Sequence, residues 1–150
     1  MLLGTYQVKV APGRRVFVPA PLRGDLKDNF IIARWYEGCL VLVSFESWDA
    51  LYKRLTGSQK IIVSPIRDTE RFILGSAYQM APDDQGRIVI PENLASYANL
   101  SDEISFLGLG DRVEIWDTKI WEEKQKKLIT VASEIIEQIA SEERNTKNEK

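Results

Sequence analysis

TYQVKVAPGRRVFVPAPL, residues 5–22, reappears in altered form as AYQMAPDDQGRIVIPENL at residues 77–94. At this offset of 72, Tyr6 and Gln7 align with Tyr78 and Gln79, Arg15 with Arg87, Pro19 with Pro91 and Leu22 with Leu94. Farther on the offset becomes 73, and Trp48, Lys53 and Leu55 align with Trp121, Lys126 and Leu128. Identities in one order, set in one hydrophobic pattern, mark a tandem duplication.

Each copy reads as strand, turn, strand, short helix, strand, turn, strand, helix. In the first copy, strands are expected at Gly4–Lys9 and Arg15–Val18 around a turn at Ala11–Arg14, followed by a helical piece at Pro21–Leu26. Strands Phe30–Arg34 and Cys39–Val43 flank the turn Tyr-Glu-Gly. An amphipathic helix then starts at the N-cap Ser44 and carries Phe45, Trp48, Leu51, Tyr52 and Leu55 at helical spacing. The second copy repeats this with strands at Ser76–Met80, Arg87–Ile90, Ile104–Gly108 and Arg112–Trp116 and a helix from about Thr118. The expected organisation is a module over 1–56, a linker over 57–73 with a short strand at Lys60–Ser64, a second module over 74–128, and a helical extension with a polar tail over 129–150. A module of this size buries little surface alone, so the two halves pair their apolar faces about a pseudo-two-fold axis. The fold class is α+β.

The C-terminal helix continues its apolar stripe through Leu128, Ala132, Ile135, Ile136 and Ile139, which packs either on its own chain or on another subunit. After Ser141 the tail is polar and is expected to fray. Trp48, Trp116 and Trp121 are expected in the core, whereas Trp35 and Tyr36 flank a hairpin turn and are expected at the surface.

Composition excludes several functions. The 150 residues include no histidine, which removes imidazole bases, imidazole metal ligands and every nucleophile–histidine pair. The single cysteine, Cys39, lies in the apolar run CLVLV and reads as a buried structural thiol in a reducing compartment. No stretch approaches the roughly 18 apolar residues of a membrane span, and the opening MLLGTYQVKV lacks the basic and apolar regions of a secretory signal. These features predict a cytoplasmic protein that is not an enzyme, with no metal, cofactor, membrane or small-molecule substrate. The net charge is −2, but residues 1–24 carry Lys9, Arg14, Arg15 and Arg23 with no acid. Residues 129–150 carry five acids against three bases.

The candidate site lies in the repeated turns. In DDQGRIVIP, Asp83 and Asp84 begin a tight turn, Gly86 supplies the positive φ, Arg87 opens the next strand and Pro91 ends it. Arg87 either ties the turn to the aspartates or reaches outward to an anion or base edge. In the first copy, APGRRVFVP, Ala11 and Pro12 replace both aspartates, Gly13 supplies turn freedom, and Arg15 persists beside a second arginine, Arg14. An arginine that outlives its acidic partners favours the outward role. The residues expected to face an anion or base edge are therefore Arg15, Arg87 and Arg14, with Asp83, Asp84, Gly86 and Gly13 supporting the turns.

The opening LLGTYQ, the Asp83-x-x-x-Arg87 unit and the tract EIW followed by a second tryptophan resemble, in that order, the hallmarks of the MraZ family, regulators found with the bacterial division and cell-wall gene cluster. The resemblance covers nearly the whole chain. It implies two AbrB-like swapped-hairpin modules, a ring-like homo-oligomer, and recognition of short repeated promoter elements on double-stranded DNA, often the protein's own promoter, by the D-x-x-x-R face at the nucleoid. Asp83 and Arg87 match that motif. In the first copy only Arg15 does, since Ala11 replaces the aspartate and Gly13 and Arg14 stand where the family usually has lysine and glycine. A rival reading is an antitoxin-like or scaffold protein whose main partner is another protein.

Overall fold

The central strands are apolar on successive residues, as strands covered on both faces must be. In the computed structural model, which describes residues 1–57 and 64–148, FIIAR forms β3 (Phe30–Arg34) and LVLVS forms β4 (Leu40–Ser44). Their counterparts are β7 (Glu103–Gly110) and β8 (Val113–Asp117). The two hairpins meet through β4 and β8, antiparallel, with Leu40 opposite Ile115 and Leu42 opposite Val113.

The remaining strands cross between the copies. β1 (Leu2–Lys9) pairs along its full length with β7, and β5 (Tyr78–Met80) pairs with β3. The result is one six-stranded antiparallel sheet, ordered β1-β7-β8-β4-β3-β5. β2 (Arg15–Phe17) and β6 (Arg87–Val89) leave this sheet and pair with each other as a two-stranded ribbon. In the core, Val16, Val18, Ile88 and Ile90 from the ribbon segments meet Phe30, Ile32, Leu40, Leu42, Phe106 and Ile115 from the sheet. Leu22 and Leu26 of α1 (Ala20–Leu26) and Leu94 of α4 (Glu92–Tyr97) close it. Both short helices follow a proline, Pro19 or Pro91, whose fixed φ sets the entry.

Helix α2 (Phe45–Thr56) starts as its sequence predicts. Ser44 Oγ accepts from the Ser47 N–H at 3.3 Å, and Gly57 ends the helix in the left-handed conformation. The expected strand at Lys60–Ser64 lies outside the described residues except for Ser64, which instead opens helix α3 (Ser64–Ile73). Arg34 fastens α3 to the sheet. Its Nε donates to the Phe72 carbonyl at 2.9 Å, and its guanidinium lies 5.0 Å from the centre of the Phe72 ring. Residues Met1–Thr118 form one unit and the residues from Lys119 onward a second. Helix α5 (Thr118–Asn148) runs past the point where fraying was expected. Glu, Arg and Lys are good helix formers, and Thr146 Oγ1 returns to the Glu142 carbonyl at 2.9 Å. No helix among the described residues is long and apolar enough to cross a membrane.

Two expectations about tryptophan are corrected. Trp35, expected at the surface, is only 2 % exposed. It stacks on Tyr36 with centroids 4.9 Å apart, and its carbonyl accepts from Tyr97 Oη at 2.6 Å. Trp48 and Trp121, expected in the core, are half-buried, and on α2 it is Leu51 that is buried. Trp48 packs along its own helix against Tyr52, 6.2 Å between ring centres. Trp116 is buried as expected, its Nε1 donating to Glu114 at 2.9 Å. Cys39 is buried too, and burial pushes its thiol well above the usual range, which makes it inert.

These placements set an order of stability losses. Trp35→Ala is expected to cost about 3–5 kcal/mol, as large core truncations do. Trp48→Ala should cost only about 1 kcal/mol, a fraction of full side-chain burial. Urea unfolding midpoints of the two variants check this, and equal losses would contradict the placement.

Candidate nucleic-acid interface

The β2–β6 ribbon has an inner and an outer face. Because side chains alternate along a strand, Val16 and Ile88 point into the core, while Arg15, Phe17, Arg87 and Val89 share the other side. Arg15 lies opposite Val89 and Phe17 opposite Arg87, so the two arginines are diagonal neighbours, roughly 7–8 Å apart. Together with Gln79 and Asp83 they line an open groove of about 510 Å³. The sequence-predicted arginines therefore converge on one surface.

A turn stands at each end of the ribbon, and the two turns are built differently. In the second, the Asp83 N–H donates to the Arg87 carbonyl at 2.9 Å, and Asp83 Oδ1 accepts from the backbone N–H groups of Gln85 and Arg87, each at 2.9 Å. Asp83 Oδ2 takes the Nε of Arg87, also at 2.9 Å. Thus Arg87 does tie the turn to Asp83, but only through Nε. Its two terminal nitrogens have no partner among the described residues, and the fork is held in one orientation. Asp84 is exposed and makes no hydrogen bond or ion pair there.

The first turn keeps the backbone closure, with the Ala11 N–H donating to the Arg15 carbonyl at 2.8 Å. Without a carboxylate to organise it, it uses two left-handed residues, Gly13 (φ 79°) and Arg14 (φ 58°), where the second uses only Gly86 (φ 82°). A left-handed non-glycine residue costs about 1–2 kcal/mol. Arg14 offsets this by donating its Nε to the Ile90 carbonyl at 2.8 Å. Arg15 has neither ion pair nor side-chain hydrogen bond among the described residues.

One residue of this surface was not picked out from the sequence as part of the site. The guanidinium of Arg23, on α1, lies directly over Gly86, where any Cβ would collide with it. A side chain there would displace the flexible end of Arg23, so it is the positive φ that calls for glycine. The sequence signal was only that Arg23 belongs to an acid-free, basic N-terminal stretch. The surface brings four guanidinium groups (Arg14, Arg15, Arg23, Arg87) together with two carboxylates (Asp83, Asp84).

The family model described as "MraZ protein, putative antitoxin-like" matches residues 73–146. Over 139 residues the chain is 34% identical to a transcriptional regulator MraZ of Thermoanaerobacter pseudethanolicus, covering 93% of this chain and 96% of that one. A transcriptional regulator MraZ of Kocuria rhizophila is equally similar over the same shares, and one of Halothermothrix orenii is 36% identical over 81% of this chain and 84% of its own. The chain belongs to the MraZ family. Of the two turns, the second lies within the segment matched by the MraZ family model, and the first lies before it.

Asp83 gives the second turn a pH dependence. The backbone N–H of Arg87 above all, then the Arg87 guanidinium and the Gln85 N–H, hold its carboxyl below the ordinary range and outweigh its partial desolvation. A depressed folded pKa stabilises the turn above the unfolded value and loses that contribution as pH falls through the folded one. An NMR titration of the Asp83 carboxyl carbon should therefore give a midpoint below about 3.9, the value of an unperturbed aspartate. Arg87→Ala should raise the midpoint only part of the way, because the backbone N–H remains. A wild-type midpoint at the unperturbed value would contradict the hydrogen-bonded turn.

Proposed function

We propose that this chain is a sequence-specific DNA-binding transcriptional regulator that recognises short repeated promoter elements, including its own promoter, through the β2–β6 ribbon. The observation that carries the reading is the pair of diagonal arginines, Arg15 and Arg87, on the solvent face of a two-stranded ribbon. The major groove of B-DNA admits such a ribbon, and arginine is the commonest reader of guanine there. The matched relatives are transcriptional regulators, which supports regulation rather than catalysis. Such a protein acts in the cytoplasm, at the nucleoid.

Architecturally, the chain is read as a tandem pair of AbrB-like swapped-hairpin modules, 1–56 and 74–128. The exchange of outer strands, β1 onto β7 and β5 onto β3, supports this. Several chains close into a ring, and the ring sets several ribbons along repeated DNA elements. One ribbon binds weakly, so avidity supplies the rest. The exposed isoleucines of α5, Ile129, Ile136 and Ile139, are suited to a subunit contact. The same helix and the antitoxin-like description of the family model favour a second reading, in which the main partner is another protein.

Roles divide by geometry. Arg87, oriented by Asp83, makes a bidentate base contact, and Arg15 makes its counterpart. Arg14, whose Nε is engaged by Ile90, meets phosphate with its remaining nitrogens.

Titration of folded variants against upstream and scrambled duplexes at several salt concentrations tests this. Arg87→Ala should lose roughly 1–3 kcal/mol on the specific duplex for each engaged subunit. Arg14→Ala should weaken all sequences alike and lower the salt slope by about one. Wild-type binding by both Arg15→Ala and Arg87→Ala would refute the face.

Assembly has its own check. Light scattering at micromolar protein should give a mass above that of a dimer, and a monomer would remove the avidity on which the reading depends.

A further inference from the structure

We propose that Phe17 and Val89 read the C5 methyl groups of thymines, so that the ribbon selects A·T pairs beside the positions its arginines contact. The inference rests on the DNA-binding reading of the ribbon and adds two specificity-determining residues to it.

Alternation is broken on this ribbon. A half-buried strand should carry polar residues on its outer side, yet Phe17 is 52% and Val89 46% exposed. The core has no need of them, because Val16, Val18, Ile88 and Ile90 already fill the inner side. No ring or cation stacks on Phe17 among the described residues, although Arg87 is its cross-strand neighbour. The two apolar side chains occupy one diagonal of the outer face and the two arginines the other.

This pattern selects the occupant. Two apolar side chains, even with Met80 and Ala81 beside Val89 in the groove, are far too small for a stable protein interface, which buries about 1,200–2,000 Å². Arg15 and Arg87 share their face, and Arg14 and Arg23 lie at the two turns, at Ile90 and Gly86, so the surroundings favour a polyanion. On the floor of the major groove a polyanionic duplex displays one apolar substituent, the thymine methyl, beside the acceptors that arginine reads. Mixed apolar and guanidinium positions on one ribbon therefore match a mixed sequence of A·T and G·C pairs.

The test uses the full-length protein and the duplex immediately upstream of its own coding sequence, made with thymidine or with deoxyuridine, which lacks only the methyl. Wild type should bind the deoxyuridine duplex more weakly, by about fourfold for each methyl withdrawn from contact. Phe17→Ala and Val89→Ala, both surface changes that leave the core intact, should weaken binding to the thymidine duplex and blunt the distinction between the two. Equal affinity of wild type for both duplexes, with Arg87→Ala still defective, would overturn the methyl readout and leave the ribbon as the DNA face. An undiminished preference for thymidine in both alanine variants would also overturn it, by assigning the effect to DNA shape. If wild type and Arg87→Ala alike bind upstream and scrambled duplexes equally, the DNA reading fails and the methyl readout falls with it.

Discussion

Two reciprocal backbone hydrogen bonds hold the functional surface together. Val18 N–H donates to the Gly86 carbonyl at 2.9 Å, and Ile90 N–H donates to the Arg14 carbonyl at 3.0 Å. Each bond runs from the end of one copy's ribbon strand to the other copy's turn. Neither turn is therefore placed by its own half alone. The same exchange recurs in the sheet, where β1 completes the second copy's hairpin and β5 the first copy's. A single copy would leave its ribbon strand unpaired, its turn unsupported and Val16 or Ile88 exposed. Duplication within one chain makes the pairing intramolecular, so it does not depend on protein concentration.

Covalent linkage also allowed the two turns to diverge. In a symmetric dimer of one module any change appears twice, whereas here the copies evolve separately. The second turn stays organised by a carboxylate that accepts two N–H groups and orients an arginine. The first has Ala11 in place of that carboxylate and is shaped instead by Gly13 and by Arg14, whose Nε reaches the Ile90 carbonyl after the opposite strand. Arg23 extends the asymmetry, for it crosses from the first copy to cover Gly86 of the second, and its aligned position is Ala95. The two ends of the ribbon therefore present guanidinium groups held by different means: Arg87 is fixed and Arg15 is unconstrained.

What could be read from the sequence follows from the range of the forces involved. The central strands were legible because burial on both faces leaves unbroken apolar runs, as in FIIAR and LVLVS, and α2 was legible from its helical period. The repeat was legible because arginine and proline recur in register. Misplaced features depend on contacts between distant residues. Trp35 looks exposed beside a turn until Tyr97, 62 residues later, closes over its carbonyl. Helix α3 lies in a segment that reads as linker, and Arg34 grips it from 38 residues away. Arg87 looked like a choice between tying the turn and facing outward, but a guanidinium has five donors, and committing Nε to Asp83 leaves the fork available.

Net charge bears on selectivity as well as on affinity. A strongly basic protein binds any duplex through phosphate contacts, and its specific sites compete with the whole genome. Here the net charge is −2, residues 1–24 carry four cations and no acid, and acids predominate over residues 129–150. At physiological salt, charges more than about 8 Å apart are largely screened, so a polyanion at the ribbon would respond to local guanidinium groups rather than to the average. If the ribbon is the DNA face, as proposed, few phosphate contacts per ribbon keep non-specific binding weak, and discrimination falls to the base-facing side chains. Weak single sites suit an assembly that engages several at once. In the proposed assembly a correct array of elements would recruit all the ribbons, whereas an isolated chance match would recruit one, so selection for the array would sharpen with each added subunit.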